Sequence, residues 1–287
     1  MNRITVDGSE IACEYIVNDA ATRSIVFIHG WMDSMTDSDR NAPALAAQFN
    51  VLRFDLPGHG RSQRIARYTF ETYVEAALAV IARFDPPEPV LVGHSMGAMV
   101  AAELHLRAPG RWPAVILLDP PLRGSALVRA WLPFAMLGHA TGVLPRLAGR
   151  LRRWDRLVSW WAATFDGIES EETHEARLTT IANLRSADRR AIAAGIVEIA
   201  ANRMVLAEPP PDQPYFIVFG EGDPTIDRRK VARWFRPDRV IEVARTRHTP
   251  NRIAVAEVNG VIARLATAGA DALPDVTGFA AGAQLVT

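Results

Sequence analysis

A glycine-flanked serine between a predicted strand and a predicted helix constrains this chain more than any other feature. Gly93–Gly97 has the pattern G-x-S-x-G, with Ser95 at its centre. The apolar run Pro89–Val92 predicts a buried strand before it, and Ala98–His105 predicts a helix after it. Such a sharp turn needs glycines, because strand, turn and helix crowd together there. The pattern therefore predicts a Ser95 hydroxyl exposed at the carboxyl end of a sheet, with a helix N-terminus behind it.

Two further polar side chains follow predicted strands downstream of this serine. Tyr215–Phe219 is rich in β-branched and aromatic residues and ends in a turn that carries Asp223. Val240–Ala244 predicts a last short strand, and the loop after it carries His248. Because the carboxyl ends of parallel strands meet at one edge of a sheet, we expect these side chains to gather around the serine.

The rest of the chain alternates strands and helices, which predicts an α/β fold with a mostly parallel, doubly wound sheet. An opening antiparallel hairpin is expected over Arg3–Val17, with its turn at Asp7-Gly8. The core strands are predicted at Ser24–Ile28, Asn50–Phe54, Pro89–Val92 and Ala114–Leu118. The helices between them are predicted at Ala42–Phe49, Thr69–Phe84 and Ala98–Arg107.

The pattern changes after residue 121. From about Leu122 to Asp212 the periodicity is helical, and Pro209–Pro211 interrupts the chain before the next strand. We therefore expect a helical cap, or lid, over 122–212, inserted between the sixth and seventh strands. The flanking segments 1–121 and 213–265 would form the two parts of the core. The Ala- and Gly-rich segment 266–287 is expected to be a loosely packed or disordered tail.

These features resemble the α/β-hydrolase fold superfamily, in particular a serine esterase-like member with a helical lid, from about Arg3 to Leu265. The chain order Ser…Asp…His matches the order of that family. The segment Ser24–Trp31 is a strand that ends in His-Gly-aromatic, and it resembles the oxyanion loop of the family. Asp55–Ser62 resembles the structural turn that follows the next strand.

The resemblance implies an acyl-enzyme mechanism with no cofactor. Ser95 would be the nucleophile, His248 the base and Asp223 the acid that orients it. The backbone N–H groups of Trp31 and Met96 would form the oxyanion hole. No cluster of residues in the sequence has metal-ligand spacing, so we expect no metal.

The identity of the acid stays open among three carboxylates. Asp223 follows the seventh strand, which is the usual position in the family. Asp119 follows the sixth strand, where some relatives place their acid, and Glu221 also lies within reach by sequence.

Two other functions remain open on the same residues. A His-Gly-Trp segment with an acid after the sixth strand also resembles the cofactor-free dioxygenases of this fold. In that case His248 would act as base on an N-heteroaromatic substrate, and Ser95 would only position it. The third function is that of a non-catalytic hydrolase-fold receptor, which has no need to keep Ser95, Asp223 and His248 together.

The substrate is expected to be a small apolar molecule with an acyl or aryl group. Four of the seven tryptophans lie in the predicted lid, and aromatic pockets bind through apolar area. The candidate substrate-binding residues are His29, Trp131, Trp154, Trp160 and Trp161, although loop packing also accounts for His29 and core packing for the tryptophans. Five arginines of the lid fit either a solvated helix face or a site for an anionic substrate: Arg146, Arg150, Arg152, Arg153 and Arg156.

Composition limits the binding partners and the cellular location that we expect for the protein. Lys+Arg and Asp+Glu both number 32, so the net charge of zero gives no reason to expect nucleic acid or an anionic membrane. The start of the chain lacks a long apolar region, and no run is long enough to span a bilayer. We therefore expect a cytoplasmic enzyme. Cys13 is the only cysteine, so no disulfide forms within the chain.

Overall fold

One mixed sheet organises the protein. The computed structural model describes residues 2–6, 8–122, 132–166, 171–201, 203–209, 213–268 and 283–285. The strands are β1 (Asn2–Val6), β2 (Ser9–Ile16), β3 (Ser24–Ile28), β4 (Asn50–Phe54), β5 (Pro89–His94), β6 (Val115–Leu118), β7 (Tyr215–Gly220), β8 (Val240–Val243) and β9 (Ala283–Leu285). Within the described residues they form a nine-stranded sheet in the order β1-β2-β4-β3-β5-β6-β7-β8-β9. Strands β3 to β8 are parallel to one another, whereas β1, β2 and β9 pair antiparallel with their neighbours.

Helices connect the strands and cover both faces of the sheet. Those of the described residues are α1 (Ala42–Leu45), α2 (Phe70–Phe84), α3 (Met96–Arg107), α4 (Leu132–Ala140), α5 (Val143–Leu151), α6 (Asp155–Asp166), α7 (Glu171–Ser186), α8 (Arg189–Ala200), α9 (Arg228–Trp234), α10 (Pro250–Ile253) and α11 (Val255–Ala268). Short 3₁₀ helices span Met35–Ser38 and Pro237–Arg239.

The core lies in two layers, one on each face of the sheet. Val26 and Ile28 of β3 pack on the side of α2 and α3, whereas Ile25 and Phe27 pack on the side of α1 and α11. Successive side chains of a strand point to opposite faces, so a strand covered on both sides must be apolar throughout. This explains the unbroken apolar runs of β3, β5, β6 and β7, whose residues are all buried.

The structure confirms the predicted α/β sheet and its strands. The bounds of β3 and β4 are those predicted, and β1 and β2 form the expected hairpin, with Gly8 at a φ of 77°. Helix α1 is shorter than predicted and ends at Leu45. The carbonyl of Leu45 accepts the N–H groups of Gln48 and Phe49, which closes the turn so that the chain enters β4 at Asn50.

Among the described residues, five helices, α4 to α8, lie between β6 and β7, and we call them the helical insert. The expected lid also covers 123–131, 167–170, 202 and 210–212, which lie outside the described residues. The division of the chain into core and lid domains stays a prediction.

The C-terminal region differs from the expected tail. Helix α11 continues to Ala268, beyond the boundary at 265, because Ala266 is buried against the sheet. Further on, Ala283–Leu285 pairs antiparallel with β8 at the edge of the sheet. None of the described helices combines the length and the apolar character that crossing a membrane requires.

Candidate active site

Ser95 lies at the turn between β5 and α3, in a backbone conformation that few non-glycine residues adopt. Its φ is 53° and its ψ is −116°. Its N–H donates to the carbonyl of Leu118 at 2.9 Å, which holds the turn against the end of β6. A Cβ on Gly97 would overlap the carbonyl of Ile28, so only glycine permits this approach of α3 to β3. The local structure is that of a nucleophile elbow.

The structure brings Ser95, His248 and Asp223 into one chain of hydrogen bonds. His248 Nε2 lies 2.9 Å from Ser95 Oγ, and His248 Nδ1 lies 2.9 Å from Asp223 Oδ2. Asp223 follows the end of β7, and His248 lies in the loop after β8. Because His248 lies between Asp223 and Ser95, its Nδ1–H can donate to the Asp223 carboxylate. Its Nε2 is then left to accept the hydroxyl of Ser95.

Two buried carboxyl groups at this edge have opposite electrostatic character. Burial raises the pKa of Asp223, but the His248 charge and several hydrogen bonds outweigh it, so the pKa lies well below its usual value. Burial and the charge of Asp223 raise the pKa of Asp119 well above its usual value. The two opposite shifts in pKa favour a proton on Asp119 and the negative charge on Asp223. Two adjacent carboxylates in a dry site do not both ionise.

The hydrogen bonds of Asp119 agree with this assignment. Its Oδ1 accepts the N–H of Gly220 at 2.9 Å, and Oδ2 is buried without a donor among the described residues. A proton on that oxygen lets Asp119 donate to Asp223. Glu221, the third candidate acid, instead accepts the N–H of Arg245 at 3.0 Å on the outer side of the turn.

A cavity of about 300 Å³ opens beside the serine. Trp31 and Met96, the two candidates for the oxyanion hole, line it together with Ser95 and His248. Apolar side chains form much of the remaining wall, and six lining residues come from the helical insert: Trp161, Phe165, Asp166, Thr180, Leu184 and Ile199. The phenyl ring of Phe165 lies edge-on to the His248 ring at 5.3 Å.

Three other candidate substrate-binding residues lie outside this wall. His29 is buried, and its Nε2 accepts the N–H of Leu56 at 2.9 Å, so its ring holds the loop after β4. Trp154, which precedes α6, and Trp160 are both exposed. Trp161, next to Trp160, instead faces the cavity. Trp131 lies outside the described residues.

A buried ionic network lies directly behind His248. His94 Nδ1 contacts Asp37 Oδ2 at 2.8 Å, and its Nε2 contacts the backbone carbonyl of His248 at 2.7 Å. Both partners are acceptors, so both ring nitrogens must carry protons. Burial lowers the pKa of His94, but the Asp37 charge outweighs this effect and raises it. Arg252 completes the network through ion pairs with Asp33 and Asp37.

Two groups of side chains at this edge lie close enough together to hold a metal ion. Ligating atoms of Asp33, Asp37 and His94 lie within 4.8 Å of one another, as do those of Asp119, Asp223 and His248. In the first group, Arg252 and the protons on His94 supply positive charge beside the carboxylates. In the second group, the proton shared by Asp119 and Asp223 does so.

Two contributions to the site were missed by the sequence reasoning. Thr225 Oγ1 donates to Asp223 Oδ1 at 2.8 Å and lies 3.3 Å from His248 Nδ1. The N–H of Thr225 also donates to Asp223 Oδ1 at 2.7 Å, and the Asp-x-Thr spacing could have revealed this backbone contact. The backbone carbonyl of Phe165 accepts the N–H of His248 at 2.9 Å, a contact between distant segments that no local pattern signals.

Comparison with known proteins identifies the family. A family model described as the alpha/beta hydrolase family matches residues 25–260, so the chain belongs to that family. It is 33% identical over 145 residues to a pimeloyl-(acyl-carrier protein) methyl ester esterase of Methylococcus capsulatus, which covers 47% of this chain and 53% of that protein. It is 31% identical over 101 residues to a human serine hydrolase-like protein, covering 34% of this chain and 50% of the relative. The chain thus spans about half the length of these curated relatives.

Solved structures extend the similarity to the fold of nearly the whole chain. A thermophilic esterase from Thermogutta terrifontis superimposes with a TM-score of 0.73 at 19% identity, covering 92% of this chain and 97% of that one. The enol-lactonase of Burkholderia xenovorans gives a TM-score of 0.70 at 20% identity, covering 93% and 100%.

Proposed function

We propose that this protein is a serine hydrolase that cleaves a carboxylic ester, lactone or thioester through an acyl-enzyme on Ser95. The observation that carries the proposal is the continuous hydrogen-bonded chain from Ser95 through His248 to Asp223 at the wall of an apolar cavity. Membership of the alpha/beta hydrolase family agrees with this reaction class.

The geometry accounts for each proton in the proposed reaction. Ser95 Oγ attacks the carbonyl carbon while His248 Nε2 takes the hydroxyl proton, and Asp223 stabilises the resulting imidazolium. The backbone N–H groups of Trp31 and Met96 hold the oxyanion, and each such donor contributes roughly 3 kcal/mol. When the intermediate collapses, His248 returns the proton to the leaving oxygen or sulfur. Water then attacks the acyl-enzyme by the same sequence.

The cavity favours a small apolar substrate. Its volume of about 300 Å³ lies at the lower end of the range for ligand sites. Trp161, Leu184 and Ile199 of the helical insert line it, so this insert acts as the lid that sets substrate size. The names of two similar proteins, a methyl ester esterase and an enol-lactonase, support an ester or lactone as substrate class.

The cofactor-free dioxygenase remains a weaker alternative. It relies on an acid after β6 that orients the histidine, whereas the carboxylate in contact with His248 is that of Asp223. The direct contact of Ser95 Oγ with His248 Nε2 also favours the serine as nucleophile.

A fluorophosphonate probe tests the proposal. The native protein should be labelled, with the adduct on Ser95, and Ser95→Ala should be neither labelled nor active on p-nitrophenyl esters. Oxygen uptake should stay at the background rate with an alkyl-quinolone. Ester hydrolysis that survives in Ser95→Ala, or oxygen uptake with the quinolone, would contradict the acyl-enzyme mechanism.

A further inference from the structure

Three successive helices of the insert, α4 to α6, and Trp154 between two of them expose large apolar side chains. Phe134 is 66% exposed, Trp160 is 62% exposed and Trp154 is 58% exposed. The other exposed large apolar residues of α4 and α5 are Met136, Leu137, Val143 and Leu147. Helix α4 buries none of its side chains, although its sequence is mostly apolar. Exposed apolar groups concentrated in one region indicate a binding surface.

Arginines are concentrated in the same part of the molecule. Two adjoining cavities of about 560 and 310 Å³ share Arg152 and Arg189 in their walls. We call the arginines that line them the arginine cluster: Arg64, Arg146, Arg150, Arg152, Arg153, Arg189 and Arg190. Within the described part of the chain, none of them forms an ion pair with a carboxylate.

The acidic side chain in these walls does not neutralise the cluster. The carboxylate of Asp188 accepts the hydroxyl of Tyr68 at 2.8 Å and the backbone N–H of Arg190 at 3.1 Å. Burial and the neighbouring charges of Arg153 and Arg64 lower the pKa of Arg152. The positive charge here is therefore in excess locally, although the whole chain is neutral.

Helix α5 carries both features on one face. Residues 143, 146, 147 and 150 lie along the same side of a helix, and they are Val143, Arg146, Leu147 and Arg150, all exposed. In α6, Arg156 and Trp160 are four residues apart and both exposed, so they repeat the arrangement. A helix face that mixes arginines with large apolar residues suits a lipid interface, where guanidinium groups reach phosphates and apolar groups enter the acyl boundary.

We propose that α4 to α6, with the arginine cluster, form a docking surface for an anionic lipid membrane. A soluble phosphate ligand would satisfy the arginines but would leave the apolar side chains in water. A second copy of this chain would place one arginine cluster against another. The expectation that no membrane is a partner rested on net charge, which averages over the molecule and hides this cluster.

The position of α5 connects this surface to the candidate site. Its buried Ala148 packs with Ala187 and Ile192 against Trp31 and Met32 of the oxyanion loop. Docking through the outer face of α5 would hold the cavity close to the lipid surface. The substrate would then be an ester that partitions into the membrane, a consequence that, unlike the docking itself, rests on the proposed function.

Vesicle sedimentation tests the docking. Vesicles of phosphatidylcholine with one third phosphatidylglycerol should bind the protein, pure phosphatidylcholine should bind it weakly, and added salt should reduce binding. The double variant Arg150→Glu/Arg153→Glu should lower the partition coefficient by roughly tenfold or more. Arg229→Glu/Arg233→Glu is the matched control, because it makes the same change in charge at two exposed arginines of α9, outside the insert.

A second pair of variants tests the apolar part of the surface. Trp154→Ser and Phe134→Ser should each weaken vesicle binding several-fold, whereas Leu106→Ser and Val17→Ser, equally exposed residues outside the insert, should not. Thermal unfolding checks that every variant is folded. Ser95→Ala should bind vesicles as the wild type does, so the docking can stand or fail without the catalytic proposal.

Three results would overturn the proposal. The first is absence of binding to anionic vesicles at low salt. This result would overturn the proposal even if an acidic protein were found to bind the arginine cluster. The second is equal binding to neutral and anionic vesicles. The third is an equal loss of binding in Arg229→Glu/Arg233→Glu and in Arg150→Glu/Arg153→Glu.

Discussion

The sheet edge and the helical insert differ in how far their side chains find partners within the protein. At the sheet edge, Ser95, His248 and Asp223 are paired in series, and His94 and Arg252 are held by buried acceptors behind them. On the outer helices of the insert, apolar side chains meet solvent and arginines lack carboxylate partners among the described residues. The comparison teaches that the candidate reacting groups lie at strand ends held by many hydrogen bonds, whereas the insert exposes groups that a binding partner could cover.

The two regions meet at the end of α6. The carbonyls of Thr164 and Phe165 accept from Arg247 and from the backbone of His248, and Thr249 Oγ1 donates to Asp166 at 2.9 Å. The insert therefore holds the loop that carries the histidine. A displacement of α6 would change the position of His248 as well as the shape of the cavity.

The largest effect is expected from breaking the hydrogen-bonded chain at the sheet edge. Asp223→Asn should lower kcat on a soluble ester by roughly 10⁴, because the imidazole loses the partner that orients it and stabilises its charge. Asp119→Asn should cost far less, since an amide can donate to Asp223 as the protonated carboxyl does. Steady-state kinetics with circular dichroism check both variants. A greater loss in Asp119→Asn would move the acid to β6 and favour the oxygenase.

A smaller effect, on stability, is expected from removing the buried cation of the network. Arg252 is 4% exposed and pairs with Asp33 and Asp37, so Arg252→Met should lower the free energy of unfolding by about 3–5 kcal/mol. The control is Arg107→Met. Arg107 pairs with three glutamates at the surface, and exposed pairs contribute about 0–1 kcal/mol. Urea unfolding that gives similar losses for both would show that the network is not strongly coupled.

The insert offers a matched pair of tryptophans. Trp161 lines the cavity, whereas Trp160 next to it is exposed. Trp161→Ala should weaken transition-state binding of a bulky aryl ester by roughly 1.5–3 kcal/mol, seen as a higher KM, because apolar contact area is lost. The same variant should spare acetate esters, and Trp160→Ala should leave both substrates unchanged. Equal losses on both substrates would instead mean that Trp161 only packs the insert.

Sequence reasoning succeeded where one local pattern determines the structure. The apolar runs of β3 to β8 end in polar turns, and the carboxyl ends of parallel strands share an edge, which locates Ser95, Asp223 and His248 together. The close approach at Gly97 follows from the same strand–turn–helix pattern. The adjacency of Trp160 and Trp161 also implied that one of them would face the cavity, since residues in sequence are about 100° apart on a helix.

It failed where the partner lies far along the chain. The bond from His94 to Asp37 and the bond from His248 to the carbonyl of Phe165 join segments that share no local signal. His29 was a candidate both for substrate binding and for loop packing, and its ring accepts the N–H of Leu56, as loop packing requires. The sequence also left open which aspartate contacts His248. Strands β6 and β7 are neighbours in the sheet, and each is followed by an aspartate near the histidine.

The smallest expected effect is a pH dependence that distinguishes the two aspartates. The pKa of Asp119 is raised in the folded protein, so the stability linked to this group is complete below the unfolded pKa and is lost as pH rises toward the folded value. Asp223 has the opposite sign, because its pKa is lowered and its contribution is lost as pH falls. As pH rises from about 5 to about 6, Asp119→Asn should therefore gain stability relative to the wild type, by at most about 1.4 kcal/mol. Asp119→Leu should show the same change with pH but lower stability throughout, since leucine cannot donate to Asp223. Chemical unfolding at the two pH values measures both differences, and a difference that does not change with pH would mean that Asp119 is ionised in the folded protein.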